Sequence, residues 1–517
     1  METMNNNPLW NDPVPHPEPV TQPPARKTFL FPTGGKELIY ALLALICGLA
    51  LCNFVIYGGF HLGFGIAMCG YILCAAGYLL ASGGQLSLYS ILLLVLSMGI
   101  SAGFGRSDDG FVKFVMLCFL AVSVNLGLCL VAGQNRRRLG GAGSLLDAGR
   151  TVFNMGYGQL PKAVGGLFSS LKLRGSLAKT IGSVAIGLVI MLPLLAIVMR
   201  LLIKADAAFE NLMKDIPEIN MGETVVTVIF GVALFFILYT RVVALAKKEK
   251  DEPAAVGSGK GLNKITMNTT LIGLCLVYAL YLVSQLAYFV SGFAGIVPED
   301  YTPAEYARRG FFEMAWLCAI NMGLIVLAVT LVRKSAGRAP LSTRLLCLFL
   351  GLVTLFMVAA ASAKMLTYID SYGLTRLRVM TQLIIIFFGL MAVTVSVSLF
   401  LKKPRYMPVL LIGALLIGGS AFWVDVDTLV AAYNVNAYQT GILKTVDVDY
   451  LEDLGSGAIP YIAKLTNDKD PEVAKAARRA VRYSISYGWD DFRDWNYAKW
   501  QAKPYVLEEK EKPREPW

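Results

Sequence analysis

LIYALLALICGLALCNFVIYGGFHLGFGIAMCGYILCAAGYLLAS, residues 38–82, decides the fold class. The stretch contains no Asp, Glu, Lys or Arg, and Gly58-Gly59 divides it into two apolar blocks. A helix needs roughly 20 mostly apolar residues to cross about 30 Å of hydrocarbon. A chain inside lipid must also satisfy its backbone polar groups internally, which a helix does. Two such blocks joined by glycines read as a helical hairpin in a bilayer.

The same pattern recurs outward from this stretch. Candidate spans fall at 38–57, 60–82, 86–104, 111–132, 180–203, 224–246, 266–294, 311–332, 345–366, 379–401 and 407–424, eleven in all. Ser82-Gly83-Gly84-Gln85 makes a second tight connection. Composition agrees: of 517 residues, 56% are apolar and only 16% charged, with a mean hydropathy of +0.57. A soluble domain carries about 25% charged residues. The expected fold class is therefore an all-α integral membrane protein: about 11 transmembrane helices and a small helical extracytoplasmic C-terminal segment.

The net charge of +11 is unevenly spread. Arg26, Lys27, Lys36, the 134–179 segment with Arg136-Arg137-Arg138, and the basic residues at 247–264, 333–344 and 402–405 total 23 Lys and Arg. The alternate loops hold eight: Arg106, Lys113, Lys204, Lys214, Arg308, Arg309, Arg376 and Arg378. That asymmetry is a topology signal, placing the first set in the cytoplasm, with some attraction to anionic lipid. Residues 425–517 hold 13 basic and 16 acidic residues, so the basic excess does not suggest nucleic acid. Eleven crossings put the C-terminus outside.

The expected organisation is a Pro-rich cytoplasmic tail (1–35), a four-helix transmembrane unit (36–133), a cytoplasmic loop (134–179), a seven-helix unit (180–424) and an extracytoplasmic helical segment (425–517). The tail has eight prolines, so it cannot form a signal-peptide helix and reads as disordered or polyproline II. Within the loop, Leu160, Val164, Leu167, Phe168 and Leu171 fit one face of a helix over 157–174, beside Lys162, Lys172 and Arg174. It would lie on the inner leaflet or pack on the bundle. Residues 247–264 read as a flexible loop. Asp470-Pro471-Glu472 is a helix start. The stretch 457–465 is its expected partner in a HEAT-like hairpin, with Val473, Ala477, Ala480 and Ser484 on one face and Lys475, Arg478, Arg479 and Arg482 on another. A lone repeat cannot bury its own apolar face and must dock on something. The aromatics of 490–500 offer cover.

The search for chemistry is mostly negative. No Gly-rich loop ends in Gly-Lys-Ser/Thr. The nine cysteines (Cys47, Cys52, Cys69, Cys74, Cys118, Cys129, Cys275, Cys318, Cys347) all lie in apolar runs and read as packing residues. Only two histidines exist, His16 in the tail and His61 at the outer end of span two, so neither a metal site nor a His-based triad is expected. No cofactor is expected. Asn125, Asn268, Gln285, Asn321 and Gln382 read as interhelical hydrogen-bond partners.

Ionisable residues near the membrane interior are costly unless paired or wet. Arg200, Glu313 and Lys364 are singled out. With Asp206, Glu210, Arg308, Arg309, Asp370, Tyr372, Arg376 and Arg378 they lie toward one side. One reading is an external polar pocket of Asp206, Glu210, Arg308, Glu313, Lys364, Asp370, Tyr372, Arg376 and Arg378, in which Arg376 and Arg378 clamp an anion. The other is interhelical ion pairing that fixes helix packing.

Gly310-Phe311-Phe312-Glu313, Tyr372-Gly373-Leu374-Thr375 with Leu377-Arg378, Ala431-Ala432-Tyr433-Asn434-Val435, Val448-Asp449-Tyr450-Leu451 and Ala458-Ile459-Pro460 resemble an uncharacterised bacterial membrane-protein family, a domain of unknown function, over about residues 38–500. The resemblance implies a multi-spanning bacterial plasma-membrane protein and assigns no activity or catalytic residue. Three function classes follow: a non-enzymatic sensor, scaffold or partner-binding protein; a transporter or permease component; and a transferase acting on a lipid-linked substrate, with Glu313 or Asp370 as acid/base. The expected partners are the lipid bilayer and a membrane or envelope protein.

Overall fold

The computed structural model describes residues 35–106, 109–133, 221–247, 262–293, 311–333, 338–401, 406–483 and 492–511. Every regular element among them is helical. The 157–174 helix, the 180–203 span, most of the 1–35 tail and most of the 247–264 loop lie outside the described residues.

The first bundle contains α1 (Gly35–Asn53, continued by a π turn Phe54–Gly58), α2 (Leu62–Ala81), α3 (Leu88–Gly103), α4 (Gly110–Val131) and α5 (Met221–Ala246). The second contains α6 (Lys264–Phe293), α7 (Phe311–Leu331), α8 (Leu341–Tyr372) and α9 (Arg376–Ser398). Next, α10 (Tyr406–Val424) packs Leu411 and Leu415 into the first cluster, whereas α9 packs Ala392 and Val395 into the second. Among the described residues, eight helices are long and apolar enough to cross a membrane. Leu88–Gly103 is apolar but shorter. α10 is followed by α11 (Val426–Gln439) across a 54° bend. Asp425 sits at that bend at φ 52°, in the left-handed region that most side chains avoid.

Each unit has its own means of cohesion. In the first, α1 and α5 approach backbone to backbone: a Cβ on Gly48 would lie 2.8 Å from the Gly231 carbonyl oxygen. Small residues permit that contact, and dispersion then replaces a hydrophobic drive that lipid cannot supply. In the second, neutral polar chains bridge helices. Tyr278 donates to Asn321 at 2.7 Å, Asn321 donates to Thr354 at 3.2 Å, and Asn268 joins Ser342 and Thr343 at 2.7 Å each. Gln382 donates to Ser362. Asn268, Asn321 and Gln382 thus bridge helices as expected. Asn125 instead bonds the Ala121 carbonyl of its own helix, and the Gln285 side chain lies outside the description. All nine cysteines are free thiols.

The C-terminal elements are α12 (Val448–Asp453), α13 (Ile459–Ile462), α14 (Pro471–Tyr483) and α15 (Tyr497–Glu511), with 3-10 turns at Gly455–Ala458, Ala463–Leu465 and Phe492–Asp494. Asp470 caps α14 by accepting from the Glu472 N–H at 3.0 Å. The expected partner helix over 457–465 is broken into short turns. The buried face of α14 is Ala474, Ala477, Ala480 and Val481. Val473 is only half-buried, and Ser484 lies outside the description. Ala502 and Val506 of α15 complete the core that α14 needs, together with Val430, Ala431 and Val435 of α11. We call this unit, from α11 to α15, the cap.

Two ends of the molecule can be told apart. Lys36 bonds the Ala81 carbonyl at 3.1 Å, Gln85 N–H bonds Val131, Glu37 pairs with Lys247, and Leu262 bridges Val332. These mark one end. The cap sits at the other, where α8 turns into α9 and α4 begins.

Candidate functional site

The junction between cap and bundle gathers most of the buried charge among the described residues. It is built on the first turn of α4. Asp109 is the N-cap there, accepting from the Val112 N–H at 2.8 Å, and Lys113 follows four residues later on the same face.

On one side of that turn stands Arg376, the first residue of α9. Its Nε donates to Asp427 Oδ1 at 2.7 Å and lies 2.7 Å from Asp109 Oδ2. Both carboxylates are 4% exposed at the side chain. The Arg376 backbone N–H donates to the Tyr450 hydroxyl at 2.9 Å. Beside it, Asn434 accepts from the Leu374 N–H and donates to the Leu374 carbonyl, both at 2.7 Å, closing a two-bond amide clasp. Gly373 is required in this loop twice over. Its φ is 76°, and a Cβ would lie 2.6 Å from Asn434 Oδ1. Burial pushes the Asp427 carboxyl up to about 6, even against the opposing pull of Arg376, and the neighbouring Asp425 and Asp109 push the same way. Burial likewise raises the Tyr450 phenol above its ordinary range.

On the other side of the turn stands His61, 8% exposed. Its Nδ1 lies 3.1 Å from Lys113 Nζ and its Nε2 lies 2.8 Å from Asp494 Oδ1. Lys499 donates to the second Asp494 oxygen at 2.6 Å. Next to this chain, Arg493 pairs with Glu223 of α5 at 2.8 Å and covers the Tyr57 ring. The Tyr497 N–H donates to the Gly105 carbonyl at 2.7 Å, under the Arg106 guanidinium. The Arg493 backbone presses on Gly58, where a side chain would collide. The 492–500 segment therefore inserts its polar residues among the ends of α1, α2, α4 and α5, while Trp495 and Trp500 stay exposed.

The sequence-derived pocket is divided by this geometry. Arg376 is joined to carboxylates. Arg378 donates to the Tyr372 and Gly373 carbonyls, capping the end of α8, and lies 4.0 Å above the Tyr368 ring. Lys364 is half-buried on α8, and Asp370 and Tyr372 are exposed at its end. Asp206, Glu210 and Arg308 lie outside the described residues; Glu313 is on α7, with its side chain outside the description. Among the described residues, no three His, Cys, Asp or Glu side chains stand close enough to hold a metal ion.

Sequence reasoning missed Asp109, Lys113, Asp427, Asp494 and Lys499 as site residues and read His61 as a plain interfacial residue. A signal existed for the first two. An acid and a base four apart, opening an apolar run, predict one helix face at a membrane boundary. Nothing local pairs Asp109 with Arg376 or Lys113 with His61. Three of the quoted strings do meet here: Gly373, Leu374 and Arg376 with Asn434 and Tyr450.

Long apolar helices in two clusters, closed at one end by a helical cap, define a multi-spanning α-helical membrane protein. The chain belongs to the family of the domain of unknown function DUF4153, whose model matches residues 68–465, more than half of the chain. No curated protein and no solved structure matches it.

Proposed function

We propose that this is an eleven-span protein of a bacterial plasma membrane, with a cytoplasmic N-terminus, an extracytoplasmic cap, and a non-enzymatic role as a sensor, scaffold or partner-binding protein. The orientation rests on charge. Lys36, Lys247, Lys264, Arg333, Arg338 and Arg344 gather at the end away from the cap, leaving Arg106, Lys113, Arg376 and Arg378 at the capped end. Ten of the eleven expected runs coincide with described helices. The run at 180–203 lies outside the described residues, but Val131 and Met221 stand at opposite ends of the bundle, which supports one further crossing between them.

One observation carries the functional reading: the cap shares a core and buried ion pairs with the spans instead of hanging from a linker. Whatever binds the cap acts directly on α1, α2, α4, α5 and α9. The transporter and transferase readings draw on the external pocket, with Glu313 or Asp370 as acid/base. Both guanidiniums meant to hold the anion there already have protein partners, which is why the sensor or scaffold reading stands first.

Labelling tests the orientation. In a Cys-less background, Glu472→Cys on the cap reacts with an impermeant maleimide in intact cells, and Leu86→Cys at the opposite end reacts only after permeabilisation. Reaction of both from one side ends the eleven-span scheme. Lipid and wall-polymer profiles test the role. They stay unchanged on gene deletion if the protein is non-enzymatic; a changed profile that Glu313→Gln fails to restore at normal expression favours the transferase.

A further inference from the structure

At the end of the bundle away from the cap, α5 carries Arg241 inside a span, five residues before the helix ends at Ala246. It is 7% exposed, and its Nε and Nη2 are buried with no hydrogen-bond partner. The same turn holds two more buried polar atoms without a partner, the Tyr239 hydroxyl and Thr240 Oγ1. Among the described residues no carboxylate pairs with Arg241; Glu37, the acid at this end of α1, lies 3.6 Å from Lys247. Two residues earlier, Tyr239 stacks on Tyr40 at 6.1 Å, and Tyr40 on Tyr78 at 4.6 Å.

A guanidinium taken out of water without a counter-charge is strongly unfavourable, and arginine cannot escape by losing its proton. Nε and Nη2 form one edge of the planar fork, two parallel donors matched to a two-oxygen anion. At 1.5 Å per residue, the position is roughly 7 Å inside the helix end, the depth of a headgroup rather than of mid-membrane. The loops of this end are rich in Lys and Arg, which concentrates anions there.

We propose that Arg241 is the anchor of an anion site that takes a phosphate group, carried by an anionic lipid headgroup or present as the free ion. The inference does not depend on which face of the membrane is outside or on the role of the cap.

The full chain, stripped of lipid in a neutral detergent, is melted with phosphatidylglycerol in mixed micelles and, separately, with inorganic phosphate. The wild-type melting midpoint rises with phosphatidylglycerol alone if the source is lipid, and with inorganic phosphate as well if the free ion suffices. Arg241→Gln raises the required concentration at least about tenfold, the loss of one bidentate charged contact. Arg241→Met removes the buried charge at similar volume, so in anion-free detergent it melts no lower than wild type and ignores both probes. The proposal is overturned if neither probe shifts the wild type, if Arg241→Met responds as the wild type does, or if Arg241→Met melts lower without anion. The last result would mean that the guanidinium is held by the protein itself.

Discussion

The two clamps that hold the cap start from the same turn of α4 yet have opposite charge balance. At Arg376, two buried carboxylates share one guanidinium. At His61, one carboxylate, Asp494, meets the imidazole and the Lys499 ammonium, and a second ammonium, Lys113, stands on the far side of the imidazole. The first joins the cap through α11, early in its chain; the second joins it through the turn Phe492–Asp494 before α15. One helix turn thus ties the beginning and the end of the cap to the membrane bundle. Buried pairs add little net stability over apolar packing, but breaking one leaves an uncompensated charge. Both clamps therefore specify position more than they stabilise the fold, and they differ in what happens when a single member is removed.

The largest effect is expected at the centre of the acidic clamp. Arg376→Ala leaves Asp109 and Asp427 facing each other and costs about 3 kcal/mol, discounted because the guanidinium itself is one-third exposed. Thermal unfolding in detergent measures it, and a loss below about 1 kcal/mol would show that the carboxylates find other partners. Asp494→Asn should cost somewhat less, about 2 kcal/mol, because Lys499 and His61 then face a neutral amide. If it instead matches Arg376→Ala, the two clamps are energetically alike despite their opposite charge.

Asn434→Ala breaks the two amide bonds to Leu374 without touching charge, at about 1–2 kcal/mol. Combined with Asp494→Asn it measures coupling between the clamps. A double-variant loss within about 0.5 kcal/mol of the sum means that each anchors the cap independently; a smaller loss means that releasing one end already frees the other.

The smallest effect is the pH dependence of the acidic clamp. The folded-state value of Asp427, about 6, exceeds its ordinary 3.8, so the folded protein binds the proton more tightly than the unfolded chain. Its contribution to stability is present at low pH and is lost as the pH rises through about 6. Between about pH 7 and about pH 5 the wild type should gain stability, and Asp427→Asn should gain less. An equal gain in both would move the titration to another group.

Much of the membrane part was legible before any coordinates. Hydrocarbon thickness sets span length and lipid rewards uncharged runs, so hydropathy alone places α1 to α10, with α8 running four and six residues past its expected ends. The polar residues Asn268, Asn321 and Gln382 were legible for the same reason, since an amide in lipid must find a partner. The cap was legible only in pieces. The start of α14 at Asp470-Pro471 is a local cap and was read correctly. Its inward face was misjudged by about one position, because Val473 and Ala474 differ little in a pattern and only the packed neighbours choose between them. The grouping of helices was not legible at all: α5 and α10 pack with the first four spans across long stretches of chain.

What the sequence determined by itself is the solvent. Uncharged blocks of bilayer length cannot remain in water, and their flanking charges sort to one end whatever the helices pack against. What only the tertiary structure decided is which charges meet. Whether Arg376 faces an anion from outside or Asp109 and Asp427 from within depends on contacts between residues hundreds of positions apart, and a one-dimensional pattern carries no term for such distances. The same holds in reverse for Arg241, an ordinary charge near a helix end in the sequence and, in the fold, a buried side chain whose Nε and Nη2 have no hydrogen-bond partner.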